Sequence, residues 1–144
     1  VAHESLTLEQ ILEAREVLEV PAIRLAAQRR TESHLAQLHA CVAMGRDGNE
    51  QFHFLLFEAA GNPLLEIMIR PLFDVLRDRM ARDQGEASYW AMVEHDHERI
   101  LALIEAGDGD AAAEEMRHHL HNLSSLYRNI DRGGDTIGDP IPTE

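Results

Sequence analysis

The sequence predicts an all-α fold, an antiparallel bundle of about six to seven helices, and three observations support this prediction. Alanine, leucine, glutamate and arginine dominate the composition, and all four favour helices. Apolar residues recur at intervals of three and four, while runs of β-branched residues are absent. The connections between the predicted helices are short, as they are in antiparallel bundles.

The first two helices are predicted from their caps and from apolar spacing. The first covers about residues 8–30, and Pro21 in its interior is expected to kink or break it. Thr31 or Ser33 is then expected to cap a second helix that ends near Gly45.

The third and fourth helices are predicted around a glycine turn. Asp47, followed three residues later by Glu50, resembles a capping box for a third helix that continues to Gly61. Asn62, with proline at the next position, is expected to cap a fourth helix. We expect Pro71 to interrupt that helix.

The last two helices are separated by another glycine turn. The fifth is predicted over about residues 86–106, and Gly107 closes it. Asp108 or Asp110 is expected to cap the sixth, which runs to about Asp131.

The chain is long enough for one domain with a substantial core, predicted over residues 1–132. Residues 133–144 are rich in glycine, proline and aspartate and are expected to form a flexible tail. The single cysteine, Cys41, excludes an internal disulfide and a thiolate-rich metal site. No membrane-spanning run or export signal is found, so we expect a cytoplasmic protein without a membrane partner.

The charge balance argues against nucleic-acid binding by this chain alone. Thirteen basic residues stand against twenty-six acidic ones, which gives a formal net charge of −13 at pH 7. Such a chain repels a phosphate backbone unless its arginines cluster.

Three histidines lie inside apolar stripes, each on a different predicted helix. His53 belongs to the third helix, His97 to the fifth and His119 to the sixth, and Asn49 lies one turn before His53 on the same face. A single such histidine is most simply a hydrogen-bonded core residue. Three on separate core faces, with the carbonyl of Asn49, predict instead a site for one divalent ion, zinc first and nickel or manganese as alternatives.

The other histidines fall outside these stripes and are expected on the surface. They are His3, His34, His39, His95, His118 and His121. His95 or His118 is the alternative ligand if the helical register differs from the predicted one.

Arg15 is the second unusual residue, because it lies in the apolar stripe of the first helix. A guanidinium there needs an anion as its partner. One candidate is Glu19, one helical turn further on. The other is the carboxylate of a small molecule bound in an internal cavity, which arginine would grip through two hydrogen bonds.

Together these residues resemble the C-terminal effector-binding (FCD) domain of FadR-subgroup transcription regulators of the GntR type. The resemblance extends from about Leu8 to Arg128. It is carried by 15–19, 25–27, 52–53, 59–65, His97 with 100–101 and 104, 107–108, Met116 and 119–120.

The resemblance implies a helical bundle that dimerises and binds a divalent metal through an aspartate and three histidines, with an organic acid as effector. The three histidines match His53, His97 and His119, and the effector-contacting arginine is assigned to Arg15. The departure is Asn49, which stands where the family commonly has aspartate. An amide brings no charge, so we expect weaker metal binding and a stronger need for an anionic ligand.

Regulators of this type also carry an N-terminal winged helix-turn-helix DNA-binding domain, which this chain lacks. We therefore expect that domain upstream of Val1 in a full-length protein. The implied mechanism is a population shift, in which a bound effector alters helix packing and so the spacing of two DNA-binding domains in a homodimer.

Two other classes of function remain open at this stage. Glu50-x-x-His53 and Glu94-x-x-His97 have the Glu-x-x-His spacing of di-iron carboxylate bundles, and a mononuclear metal hydrolase is a related alternative. The third reading is a helical oligomerisation module with structural histidines. No residue stands out as a catalytic base, so we predict no catalytic residues and no enzymatic activity.

Overall fold

The computed structural model describes residues 6–80 and 87–134, with side chains described for 6–79 and 87–128. These residues form six α-helices and one short 3₁₀ helix, without a strand among them, which confirms the all-α bundle. The helices are α1 (Leu8–Arg29), α2 (Glu32–Ala43), α3 (Asn49–Ala59), α4 (Pro63–Met80), α5 (Ala87–Glu105) and α6 (Gly109–Gly134), and the 3₁₀ helix is Gly45–Gly48. Most of the predicted tail, 135–144, lies outside the described residues.

Helix α1 is the centre of the bundle and packs against α3, α4, α5 and α6. Its apolar face carries Ile11 and Ile23, which are 1% exposed, and meets a core that includes Ile104 and Met116. Each such burial contributes on the order of 1.5–3 kcal/mol. No helix within the described ranges is long and apolar enough to cross a membrane.

Threonine capping boxes begin the first two helices. The Thr7 hydroxyl accepts from the backbone N–H of Gln10, whose side chain accepts from the N–H of Thr7. Thr31, rather than Ser33, caps α2 in the same way with His34. His34, expected on the surface, is therefore half-buried as a capping residue.

The predicted capping box at Asp47 is wrong, because α3 begins differently. Asp47 lies within the 3₁₀ helix, and Gly48 is the N-cap without a side-chain hydrogen bond. The backbone of Gly48 lies so close to α2 that a Cβ there would come within 2.0 Å of the carbonyl oxygen of Cys41. The close approach of two backbones, which capping patterns do not encode, decides this turn.

The expected interruption at Pro71 is also wrong, since α4 is continuous through it. Pro21 likewise lies within a continuous α1. Each proline removes one helical N–H donor and crowds the carbonyl four residues earlier, at a cost of about 3 kcal/mol. In α4 the buried neighbours Ile69 and Phe73 hold both sides of Pro71 against the core.

The starts of α4 and α6 follow the sequence prediction more closely. The side chain of Asn62 accepts from the backbone N–H two residues ahead, and Asp108, rather than Asp110, accepts from the N–H three residues ahead. Gly61 and Gly107 precede these caps with φ of +76° and +75°, values that glycine adopts readily.

Candidate metal and effector site

The three stripe histidines converge in the interior of the bundle. His53 comes from α3, His97 from α5 and His119 from α6, and their exposed fractions are 1%, 4% and 1%. One ring nitrogen of each lies within 4.8 Å of those of the other two. Among the described residues, this is the one group of three or more histidine, cysteine or acidic side chains with such spacing.

Carboxylates orient two of the three imidazoles. Nδ1 of His119 donates to Oδ2 of Asp96 at 2.9 Å, and Nδ1 of His53 donates to Oε1 of Glu19. A histidine that donates through Nδ1 keeps the lone pair on Nε2 for a metal. Both imidazoles thus have the tautomer that a metal site requires.

His97 differs from the other two histidines of the cluster in its hydrogen bonding. Its Nε2 is buried and has no hydrogen-bond partner among the described residues. The ring stacks on Phe52, with 4.2 Å between the centroids. Because buried polar atoms in proteins are nearly always paired, an unpaired imidazole nitrogen beside two others fits a ligand that binds all three.

The environment favours the neutral form of His53 and His97. Burial lowers the pKa of His97 well below its ordinary value, and the neighbouring His53 and His119 act in the same direction. Burial also lowers the pKa of His53, although the charge of Glu19 opposes this. Neutral imidazoles are the form that binds zinc and similar ions.

Arg15 and Glu19 form a buried ion pair next to the histidines. Nε of Arg15 donates to Oε2 of Glu19 at 2.7 Å, and its Nη1 donates to the hydroxyl of Tyr127 at 2.8 Å. Burial alone would raise the pKa of Glu19, but Arg15 and His53 outweigh it and lower that pKa to about 2. Of the two partners considered for Arg15, the structure confirms Glu19.

A cavity of about 290 Å³ adjoins this cluster, and four of the five predicted site residues line it. They are Arg15, Asn49, His53 and His119. The fifth, His97, is not among the residues that line the cavity. The volume suits a small organic molecule rather than a drug-sized one.

Two further arginines give the cavity a basic rim. The guanidinium of Arg46 lies 4.8 Å from the centroid of the Trp90 ring. Arg77 forms ion pairs with Glu50 and Asp74. With Arg15, three arginines and one glutamate line the cavity. Arg15 and Arg77 are both paired with carboxylates, so these arginines offer N–H donors to an anion rather than a large net positive charge.

The Glu-x-x-His pairs do not assemble a di-iron site. Glu50 lines the cavity, where it is paired with Arg77, and neither it nor Glu94 belongs to the histidine cluster. Asn49 lies on the cavity wall, one turn before His53. Its role as a metal ligand stays a prediction.

Sequence reasoning missed Asp96 and Tyr127. Asp96 is 5% exposed and Tyr127 is 2% exposed. Asp96 lies three residues after Val93 and four before Ile100, which are both in the core, so helical spacing alone could have identified it. Glu19 was expected as the partner of Arg15, but its bond to His53 was not foreseen.

The remaining histidines are mostly where they were expected. Four are exposed: His39, His95, His118 and His121. The alternative ligands His95 and His118 are therefore not needed. His3 lies outside the described residues.

A family model described as the FCD domain matches residues 10–122. The chain belongs to the FCD domain family. This is the domain that the sequence resembled, and the relatives reported next are transcription regulators rather than enzymes.

The FCD domain is similar to two curated regulators. It is 26% identical over 134 residues to the HTH-type transcriptional regulator LutR of Bacillus subtilis (strain 168), covering 83% of this chain and 61% of that protein. It is 25% identical over 133 residues to the putative L-lactate dehydrogenase operon regulatory protein of Escherichia coli (strain K12), covering 84% and 52%. The chain thus spans between half and two thirds of the length of these relatives.

The fold also matches a solved structure. The chain named E. coli McbR/YncC superimposes with a TM-score of 0.73 at 18% identity, covering 85% of this chain and 64% of that one. This likeness concerns the arrangement of the helices.

Proposed function

We propose that this FCD domain is the ligand-sensing and dimerisation domain of a transcription regulator. In this proposal it binds one divalent metal and one small organic acid in the bundle interior. Occupancy of that site controls DNA binding by a separate winged helix-turn-helix domain, and the FCD domain itself catalyses no reaction.

The observation that carries the metal proposal is the unpaired Nε2 of His97. It lies beside His53 and His119, whose Nδ1 atoms are held by carboxylates. These three imidazoles, with the carbonyl oxygen of Asn49 as the fourth donor, would hold the ion. Zinc suits this donor set best, with nickel and manganese as alternatives.

The effector proposal rests on charge and space. A bound ion would add two positive charges that neutral imidazoles and an amide do not compensate, and so would attract a carboxylate. Arg15 keeps guanidinium N–H groups beyond those bound by Glu19 and Tyr127, and it lines the cavity. It would bind the same carboxylate or a second one.

The regulatory mechanism follows from which helices hold the site. Ligand-binding side chains come from α1, α3, α5 and α6, so a ligand that contacts all four favours one packing of the bundle over another. The domain would transmit this population shift to the DNA-binding domain of each subunit in a homodimer. An exposed apolar stripe of α4 is compatible with a partner subunit; its residues are Leu64, Ile67 and Met68.

The deciding experiment is elemental analysis of the purified protein, as isolated and after dialysis against zinc, nickel or manganese. Native mass spectrometry of the same samples counts ions, chains and small organic passengers. We expect about one ion per chain and two chains per particle. His97→Ala should lose the ion and remain folded, because Nε2 of His97 has no hydrogen bond to lose.

The matched control is His95→Ala, which removes an exposed imidazole from the same helix. It should keep the ion. A metal content that is the same in both variants would contradict the site, and a wild-type protein that takes up no ion would contradict the metal proposal as a whole.

A further inference from the structure

Glu19 holds two functional groups with one carboxylate. Its Oε2 accepts from Nε of Arg15 at 2.7 Å, and its Oε1 accepts from Nδ1 of His53 and lies 3.5 Å from Nη2 of Arg15. The side chain of Glu19 is 2% exposed, so water does not screen this arrangement. One buried negative charge is thus shared between the arginine of the cavity and a histidine of the cluster.

Sharing makes the two bonds compete. A cation on the far side of His53 polarises its Nδ1–H and draws the carboxylate towards it, which weakens the hold of Glu19 on Arg15. An anion that binds Arg15 competes with Glu19 for the guanidinium. Glu19 is then free to strengthen its hydrogen bond to His53, which favours a cation on the other side of that ring. Each event therefore favours the other.

We propose that Glu19 couples metal binding at His53 to carboxylate binding at Arg15. This inference rests on the proposed function and adds to it a mechanism by which the metal adjusts effector affinity. Reciprocity requires that zinc tighten carboxylate binding by the same factor by which the carboxylate tightens zinc binding.

Asp96 offers a matched comparison within the same protein. It accepts from Nδ1 of His119 at 2.9 Å and from the side chain of Asn122 at 3.3 Å. It therefore supports a histidine of the cluster as Glu19 does, but it has no bond to Arg15. Asp96→Asn should weaken metal binding without removing the coupling.

The test is a thermodynamic cycle with zinc and a small carboxylate. Acetate, L-lactate and succinate are first compared for binding to the zinc-loaded wild type, and the tightest is used. The zinc Kd is then measured by chelator competition, with and without a saturating amount of that carboxylate, in the wild type, Glu19→Gln and Asp96→Asn. Any complexation of zinc by the free carboxylate is common to all three proteins and cancels in the comparison.

Both variants should weaken zinc binding by roughly 10–100-fold, because both remove support from a ligand imidazole. The carboxylate should tighten zinc binding about 5–150-fold in the wild type and Asp96→Asn. In Glu19→Gln this factor should be at least about fivefold smaller, leaving only the part due to direct contact between carboxylate and ion.

Glu19→Gln leaves the buried Arg15 without its carboxylate, so Glu19→Asp is made alongside it. Aspartate keeps the charge and the fold but is one methylene shorter and cannot reach both partners. If the carboxylate tightens zinc binding by the same factor in Asp96→Asn and in the folded Glu19 variants, Glu19 does not couple the two sites. This result would overturn the inference about Glu19 and leave the proposed function intact. Failure of the wild type to bind zinc or any of the three carboxylates would overturn the proposed function first.

Discussion

The unpaired Nε2 of His97 is a local cost to stability that the proposed metal ion would remove. A buried polar atom without a partner costs about 1–3 kcal/mol. No hydrogen bond joins this nitrogen to the neighbouring imidazoles of His53 and His119, whose Nδ1 atoms donate to Glu19 and Asp96. Such a local cost is characteristic of sites kept ready for a ligand.

Asn49 allows a direct test of the ligand set. Asn49→Asp should tighten zinc binding by about tenfold or more, because it places a charged oxygen on the cavity wall next to His53. The measurement is a zinc Kd by chelator competition.

Gln51→Glu is the control for Asn49→Asp, because it adds the same charge to an exposed position of α3. Its zinc affinity should stay close to that of the wild type. If both variants bind zinc equally well, Asn49 is not a ligand.

At the scale of single helices, the ends were predicted best where a side chain caps its own helix. Thr31, Asn62 and Asp108 all form such bonds. The prediction at Asp47 failed because the backbone of Gly48 packs against α2, and the one at Pro71 failed because tertiary burial outweighs one lost hydrogen bond. Patterns within one helix carry no information about either effect.

Gly48 should be the most sensitive glycine near the site. Gly48→Ala would bring a Cβ within 2.0 Å of the carbonyl oxygen of Cys41, so the start of α3 must move. We expect a loss of about 1–3 kcal/mol in the free energy of unfolding, measured by urea denaturation. Zinc binding should weaken as well, since Asn49 and His53 follow on the displaced helix.

Gly109→Ala is the comparison for Gly48→Ala. The nearest atom to a Cβ at Gly109 would be 3.2 Å away, which requires a much smaller shift. A stability loss at Gly109 as large as that at Gly48 would mean that close packing against α2 is not the cause.

At the scale of the whole molecule, the sequence predicted the helix order and the three histidines, because both depend on periodicity along each helix. A helical wheel shows that His53 and His97 lie on the core-facing sides of their helices. It does not show which residues of the other helices contact them. The bonds from His53 to Glu19 and from His119 to Asp96 join different helices. Only the packing of α1 on α3, and of α5 on α6, brings these carboxylates to the site.

The shared carboxylate also has consequences for the stability of the entire fold. The pKa of Glu19 is lowered in the folded protein from 4.5 to about 2. A lowered carboxyl pKa stabilises the fold above the unfolded-state value, and this contribution disappears as the pH falls towards the folded-state value. For Glu19 it amounts to about 3 kcal/mol, present above about pH 5 and lost progressively between pH 4.5 and 2.

The double variant Arg15→Met, Glu19→Gln should therefore resist acid better than the wild type. It removes both charges of the buried pair, and such a replacement is often neutral for stability at neutral pH. Urea denaturation of the metal-free proteins gives the free energy of unfolding at pH 6 and at pH 3. The decrease in this free energy from pH 6 to pH 3 should be about 2 kcal/mol smaller for the double variant than for the wild type. Glu13→Gln, which changes an exposed glutamate of α1, is the control. Its free energy of unfolding should decrease between pH 6 and pH 3 as much as that of the wild type. An equal decrease in the double variant would mean that the Arg15–Glu19 pair does not contribute to the pH dependence of folding, and that other groups, such as the buried His97, cause the acid unfolding.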